Sequence, residues 1–236
     1  MKYLFILTLF CSSMAHSWEL KDFKAEIQTP ITESKEFLGS GALILGTVLI
    51  FEDQIVDPTQ EETVEDKPLG KWSWVGDLSG QMIPNGLYIL GQSIAGSTGD
   101  KRGYERAIGM FKATAYAASV TTVLKYSIRE PRPNNHKERN SFPSGHSTTV
   151  FAFAGYVFEE HGWEWGIPAT TLAMFTAASR INDNRHYLHD VIAGATIGLS
   201  YGIGIARYQK KNQKLSFMAV PIYDGPTKGL AIVKDF

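Results

Sequence analysis

The sequence predicts an all-α helical bundle with its functional groups at the loops and helix ends of one end, and a small C-terminal β-hairpin. Three observations predict it. Four mostly apolar segments follow one another between residues 104 and 206, and Pro131, Pro133 and Pro143 stand at the breaks between them. The last segment carries Gly at 194, 198, 202 and 204, which lets helices approach closely. The 236 residues are 44% hydrophobic and 20% charged, so one core is affordable and a disordered, collagen-like or coiled-coil chain is excluded. The mean hydropathy of −0.12 also argues against a very hydrophobic polytopic membrane protein, though not against membrane association.

The elements follow in chain order. Lys2, the apolar run Leu4 to Phe10 and the small residues around Ala15-His16-Ser17 read as a secretory signal peptide over residues 1–17. A retained anchor is the alternative. Cys11, the only cysteine, lies inside this segment, and Phe10 before it is too large for a lipoprotein cleavage site. A mature chain from Trp18 would have no disulfide, which suits a bacterial periplasmic or cell-envelope protein. Residues 18–103 are read as N-terminal helices plus an acidic loop of the same domain. Gly39 to Phe51 reads as a helix, Leu87 to Ile94 as another helical piece. Glu52 to Pro68 holds seven acids and two prolines and reads as an exposed loop, with no EF-hand spacing.

Residues 104–208 form the expected core. Its helices are Tyr104 to Ile128, Ser144 to Phe158, Ile167 to Ser179 and Asp190 to Ala206. Residues 209–236 form a tail, in which Leu215 to Ile222 and Gly229 to Val233 flank Asp224-Gly225-Pro226 as a hairpin would. Most candidate helices are shorter than the roughly 20 residues of a membrane span, and Lys112 sits inside one. Basic clusters at Lys101-Arg102-Arg106 and Arg207-Lys210-Lys211 would fall on one side of a bundle, as the positive-inside rule expects. Integral, peripheral and soluble forms stay open, with a lean toward membrane association. Twenty-three basic against 24 acidic residues leave no overall basic field, so nucleic acid is not an expected partner. The oligomeric state is not legible.

Three clusters at helix ends or in the intervening loops carry the chemistry. They are Lys125-x6-Arg132-Pro133, Pro143-Ser144-Gly145-His146 and Ser179-Arg180-x5-His186-x3-Asp190. Each alone has an ordinary explanation: a lysine near a helix C-terminus, a Ser cap, a surface i,i+4 pair. Together they suit one task, holding a tetrahedral oxyanion. Lys125, Arg132 and Arg180 supply fixed positive charge, and Ser144 with the Gly145 N–H opens a helix N-terminus. No Asp/Glu/His set with obvious metal spacing accompanies them, so no metal or other cofactor is expected, and the cations would stabilise charge in a metal's place. His186 can attack phosphorus, with Asp190 one helical turn on to fix its tautomer. His146 would serve as general acid and then general base.

This set of motifs resembles the type 2 phosphatidic acid phosphatase and vanadium haloperoxidase superfamily, whose three-part pattern it matches without a departure. The resemblance covers about Ala107 to Ala206. It implies a helical-bundle core and metal-independent phosphoester hydrolysis through a phosphohistidine. By it His186 is the nucleophile, His146 the acid/base and Asp190 the orienting acid, while Lys125, Arg132, Ser144, Gly145 and Arg180 bind phosphate. The expected substrate is a phosphate monoester or pyrophosphate, of a lipid, because apolar helices surround the site and Ser141–Thr148 looks more like the family's lipid phosphatases than its soluble acid phosphatases. A vanadium-dependent haloperoxidase and a non-catalytic anion-binding envelope protein are the alternatives. His189 reads as structural, since only His186 has the turn-length spacing to Asp190. His136 reads as part of a solvated basic loop. Trp163 and Trp165 are either interfacial anchors or packing residues.

Overall fold

The computed structural model describes residues 20–212, 217–224 and 227–234. The expected signal peptide lies outside them. The described helices are α1 Leu20–Ile27, α2 Thr29–Thr32, α3 Lys35–Ile50, α4 Glu52–Asp66, α5 Ser73–Gly80, α6 Ile83–Ser97, α7 Gly103–Ile128, α8 Gly145–His161, α9 Trp163–Asn182 and α10 Leu188–Lys211. A single 3-10 turn, Gly70–Trp72, precedes α5. In the tail, β1 Phe217–Asp224 pairs antiparallel with β2 Thr227–Lys234, Phe217 opposite Lys234 and Asp224 opposite Thr227.

The bundle is built on α8 against α10, with α9, α7, α6 and α3 packed around that pair and α5 laid across α9. Glycine makes the central contact. A Cβ on Gly194, Gly198 or Gly202 would come closer than 3.0 Å to the carbonyls of Ser144, Thr148 and Ala152 respectively. Both sets repeat every four residues, so one ridge of each helix runs along the other at backbone distance. Around it Met110, Tyr116, Val150, Phe151, Tyr156, Tyr201 and Ile205 fill the core. Asn85 of α6 crosses into this core and donates to Thr114 Oγ1 at 2.8 Å and to the Thr149 carbonyl at 3.0 Å, tying α6 to α7 and α8.

Two expectations need correction. Glu52 to Pro68 is not a loop: residues 52–66 form α4. Glu and Gln are good helix formers, Glu52 and Asp53 favour the positive N-terminus, and Val56 is fully buried as an apolar anchor. The helix even tolerates Pro58, and it turns from α3 by 88° at Phe51. The second concerns α5, a helix that the residue order does not predict. Its residues Gly76 and Gly80 lower helix propensity, yet they let the helix close on Ser179 and on the His146 ring at distances no side chain would allow.

Lys112, the charge inside α7, is also accounted for. It is buried with Glu26 of α1, Nζ to Oε1 2.5 Å, and Tyr116 donates to the other Glu26 oxygen at 2.7 Å. Paired in this way, the charge does not prevent α7 from lying in an apolar medium. By length and composition α7 and α10 can cross a membrane, and the bent pair α3–α4 would make a third span. Exposed apolar side chains cover the outer faces of α3, α6 and α7, including Leu43, Ile50, Leu87, Leu90 and Val123. Trp163 and Trp165 are largely exposed, not packed at a helix corner. The molecule is a membrane-associated helical bundle.

The glycine ridge yields a stability test. Gly198→Ala forces α8 and α10 apart and lowers unfolding free energy by about 1–3 kcal/mol. Gly86→Ala in α6, where a Cβ would meet nothing, is neutral or stabilises by about 0.4–1 kcal/mol. Chemical denaturation of the two variants in detergent measures both.

Candidate active site

Four element ends converge at one end of the bundle. They are the C-termini of α7 and α9 and the N-termini of α8 and α10, joined by the 129–144 loop and the 183–187 connection. A backbone hydrogen bond from Ser144 N–H to the Asp190 carbonyl, 3.0 Å, sets the starts of α8 and α10 side by side.

The third motif folds around Asp190. His186 is not on the helix: α10 starts at Leu188, with Tyr187 as its N-cap. Asp190, at the third helical position, reaches back so that Oδ2 accepts the Tyr187 N–H at 2.9 Å. That return brings the carboxylate to the imidazole, with Oδ2 3.4 Å from His186 Nδ1. The pairing predicted from a helical turn therefore arises from a capping geometry. Ser141, which the sequence reading did not single out, completes it. Its hydroxyl donates to Asp190 Oδ2 at 2.6 Å and lies 3.4 Å from His186 Nδ1. His186 is almost wholly buried, and its N–H is held by the Arg180 carbonyl at 3.3 Å.

The cations sit around this pair. Lys125, in the last turn of α7, donates to the carbonyls of Asn140 at 2.6 Å and Ser141 at 3.1 Å. Arg132 in the following loop donates to Asn140 Oδ1 at 2.7 Å and faces Glu138 at 3.3 Å. Arg180, near the end of α9, is buried and pairs with Asp77 Oδ1 at 2.7 Å. The same Asp77 oxygen is 3.2 Å from His146 Nε2. Asp77 belongs to α5, lies 103 residues from Arg180 in the chain and has no motif around it, so no sequence signal marked it. Gly76 and Gly80, on either side of it, seat α5 against Ser179 and His146, and that seating delivers the carboxylate.

The second motif starts α8. Ser144 is the N-cap, its Oγ accepting the Ser147 N–H at 3.4 Å and the Ser147 hydroxyl at 3.0 Å. Gly145 opens the helix, and a Cβ there would meet only the Lys125 side chain, at 4.0 Å. Lys125, Gly145 and His146 line one wall of a cavity of about 300 Å³, closed by Gly80, Met82, Ala118 and Thr121. His189 points elsewhere: its Nε2 is 2.8 Å from Glu130 Oε1.

Electrostatics couple these groups. Burial, with the charge of Lys125 and Arg132, outweighs Asp190 and pushes His186 down to about 4. Burial and Arg180 push His146 down to about 4, with Asp77 opposing and His186 adding to the fall. Burial works against the Asp77 carboxylate, but Arg180 overcomes it and holds Asp77 below its usual range. Burial and repulsion from Arg185 and Arg180 lower Arg132, against Glu138. The resting site thus holds two neutral imidazoles among fixed cations, which suits it to take up a multiply charged anion.

Residues 106–214 match the PAP2 superfamily. Over 100 residues the chain is 38% identical to a lipid A 1-phosphatase of Porphyromonas gingivalis, a match that covers 41% of this chain and 21% of that protein. Over 172 residues it is 27% identical to a lipid A 4'-phosphatase of Helicobacter pylori, covering 60% of this chain and 82% of the relative. The chain thus spans about a fifth of the first relative and about four fifths of the second. Among solved structures it is similar to a transmembrane PAP2-type phosphatidylglycerolphosphate phosphatase from Bacillus subtilis. The TM-score is 0.53 at 19% identity, over 79% of this chain and 98% of that one, a likeness of fold.

The two depressed imidazoles set a pH dependence. Between the ordinary histidine value of 6.5 and about 4 the unfolded chain binds protons that native His146 and His186 refuse, so folding stability falls as pH drops through that window. His146→Gln flattens part of the slope. Denaturation midpoints taken at intervals from pH 4 to 7 test this, and equal slopes in both proteins would contradict it.

Proposed function

From the match of residues 106–214 to the PAP2 superfamily we propose that the chain belongs to it and is a metal-independent phosphatase. Its substrate is a phosphate monoester or pyrophosphate of a membrane lipid, cleaved through a phosphohistidine on His186. The observation that carries this reading is the buried His186 imidazole, braced by Asp190 and Ser141 and set among Lys125, Arg132 and Arg180. The relatives named lipid A phosphatases put phosphorylated glycolipids first among substrates to test.

The chemistry follows from the groups present. Lys125, Arg132, Arg180 and the start of α8 at Ser144-Gly145 hold the phosphoryl oxygens and neutralise the charge that spreads over them in the transition state. Asp190 accepts from His186 Nδ1–H, so Nε2 carries the lone pair that attacks phosphorus. The P–O bond to the lipid breaks as the P–N bond forms. The leaving oxygen takes its proton from His146. That group is neutral in the resting site, but a bound phosphate offsets the repulsion from Arg180 that helps keep it so; its basicity rises and it takes up a proton from water or from the incoming phosphate monoanion before donating it. In the second half His146 accepts a proton from water, the water oxygen attacks phosphorus, the P–N bond breaks and inorganic phosphate leaves.

The surroundings support a membrane lipid. The cavity beside His146 has room for a phosphate and its attachment, not for acyl chains, which would stay among the apolar outer faces of the helices. At the opposite end of the bundle, about 33 Å away along α7, Arg102 and Arg106 reach Glu160, and Arg207 and Lys210 reach Glu159. By the positive-inside rule that basic end is cytoplasmic, so the site faces the periplasm or the outer leaflet, in agreement with an exported chain.

Three outcomes test the reading. Phosphate release from a panel of lipid phosphates persists in EDTA and stops in His186→Ala; no release from any of them, or strict metal dependence, defeats it. Asp190→Asn keeps the fold and slows turnover by about 10²–10⁴, because the tautomer of His186 is wrong. His146→Ala slows alkyl phosphates far more than nitrophenyl phosphate, since only the poorer leaving group needs the proton.

A further inference from the structure

Asp190 has a second face. Its Oδ2 is fully engaged by Ser141 and the Tyr187 N–H, but Oδ1 is buried without any hydrogen-bond partner among the described residues. A buried carboxylate oxygen left in this way is costly and calls for a ligand. The groups nearest to it are suited to a metal ion. His189 Nε2 lies 3.8 Å from Asp190 Oδ1 and 2.8 Å from Glu130 Oε1, and the three donor atoms all lie within 4.8 Å of one another. His189 and Asp190 are adjacent in the first turn of α10, and Glu130 comes from the loop after α7, so three donors converge from two separate parts of the chain. Bonds of about 2.0–2.1 Å to a tetrahedral ion set donors about 3.3 Å apart, which the present spacings bracket. One imidazole with two carboxylates favours zinc or a similar first-row cation over magnesium or calcium, which prefer oxygen alone. A cavity of about 410 Å³, lined by Leu49, Glu52, Glu130, Phe142 and His189, gives solvent a path to the cluster.

We propose that Glu130, His189 and Asp190 bind one zinc-class divalent cation, and that this ion inhibits the phosphatase by claiming the acid that orients His186. Bound to Oδ1, the ion draws charge from the carboxylate and fixes its plane for the metal instead of for His186 Nδ1. The inhibition rests on the phosphatase reading; the binding does not.

The experiment separates the two. Untagged full-length protein in detergent micelles, stripped with EDTA, is titrated with zinc against a chromophoric chelator, and turnover of a lipid phosphate is followed in parallel. One zinc should bind per chain, unaffected by millimolar magnesium. Glu130→Gln and His189→Gln should each weaken binding by about tenfold or more while turning over normally in EDTA, and their turnover should no longer respond to zinc. Zinc should also raise the unfolding temperature of the unaltered protein and not of the variants, so a variant that folds poorly is recognised and the other decides. No binding, or equal affinity in both variants, overturns the site. Zinc that binds through these residues without slowing turnover overturns the inhibition. A protein that binds zinc through them and hydrolyses no phosphate leaves the site standing and removes the phosphatase reading.

Discussion

The approach of α8 to α10 is the contact on which the rest depends. Backbone packs on backbone along Gly194, Gly198 and Gly202, and at the end of that ridge the Ser144 N–H meets the Asp190 carbonyl. The two helix starts that carry Ser144-Gly145 and Asp190 are therefore placed by main-chain contact, with no long side chain between them to flex. α9 then needs only to end beside this pair for Arg180 and His186 to fall in place, and Arg180 uses its own carbonyl to hold the His186 N–H. Small residues here set the geometry on which the chemistry relies.

Charge is managed in the same economical way. Lys125, Arg132 and Arg180 would repel one another in an empty pocket, yet each is engaged: Lys125 by two loop carbonyls, Arg132 by Asn140 and Glu138, Arg180 by Asp77. Such partners lower the strain of gathering cations without cancelling their field, since carbonyls and half-exposed carboxylates compete weakly with a multiply charged anion. The pairing of Lys112 with Glu26 solves the related problem of a cation inside an apolar helix.

Much of this was legible in the residue order, for identifiable reasons. Long apolar segments punctuated by proline gave α7, α8, α9 and α10 within a few residues, because those segments both prefer helix and need burial. The clusters that contain Lys125, Ser144, His146, Arg180, His186 and Asp190 do meet in space. Missed elements were those where local composition opposes the outcome: α4 is acidic enough to read as solvated loop, and α5 carries two glycines that pay in propensity for close contact. Asp77 and Ser141 were missed because their roles exist only after folding, one brought from 103 residues away and the other from the far side of a loop. The His186–Asp190 pair was found by its spacing, though the chain achieves it at a helix cap and not along a helical face.

Asp77 resting on Arg180 has a consequence for selectivity. A single negative charge already occupies the guanidinium, so an incoming group must offer more than one carboxylate does. A phosphodiester, with one negative charge shared between two oxygens, gains little by exchange; a terminal phosphate, doubly charged near neutrality, gains a good deal. On the proposed phosphatase reading, a membrane-associated protein among bulk phospholipids, nearly all of them diesters, would in this way ignore its surroundings and answer only to the rare headgroup that ends in phosphate.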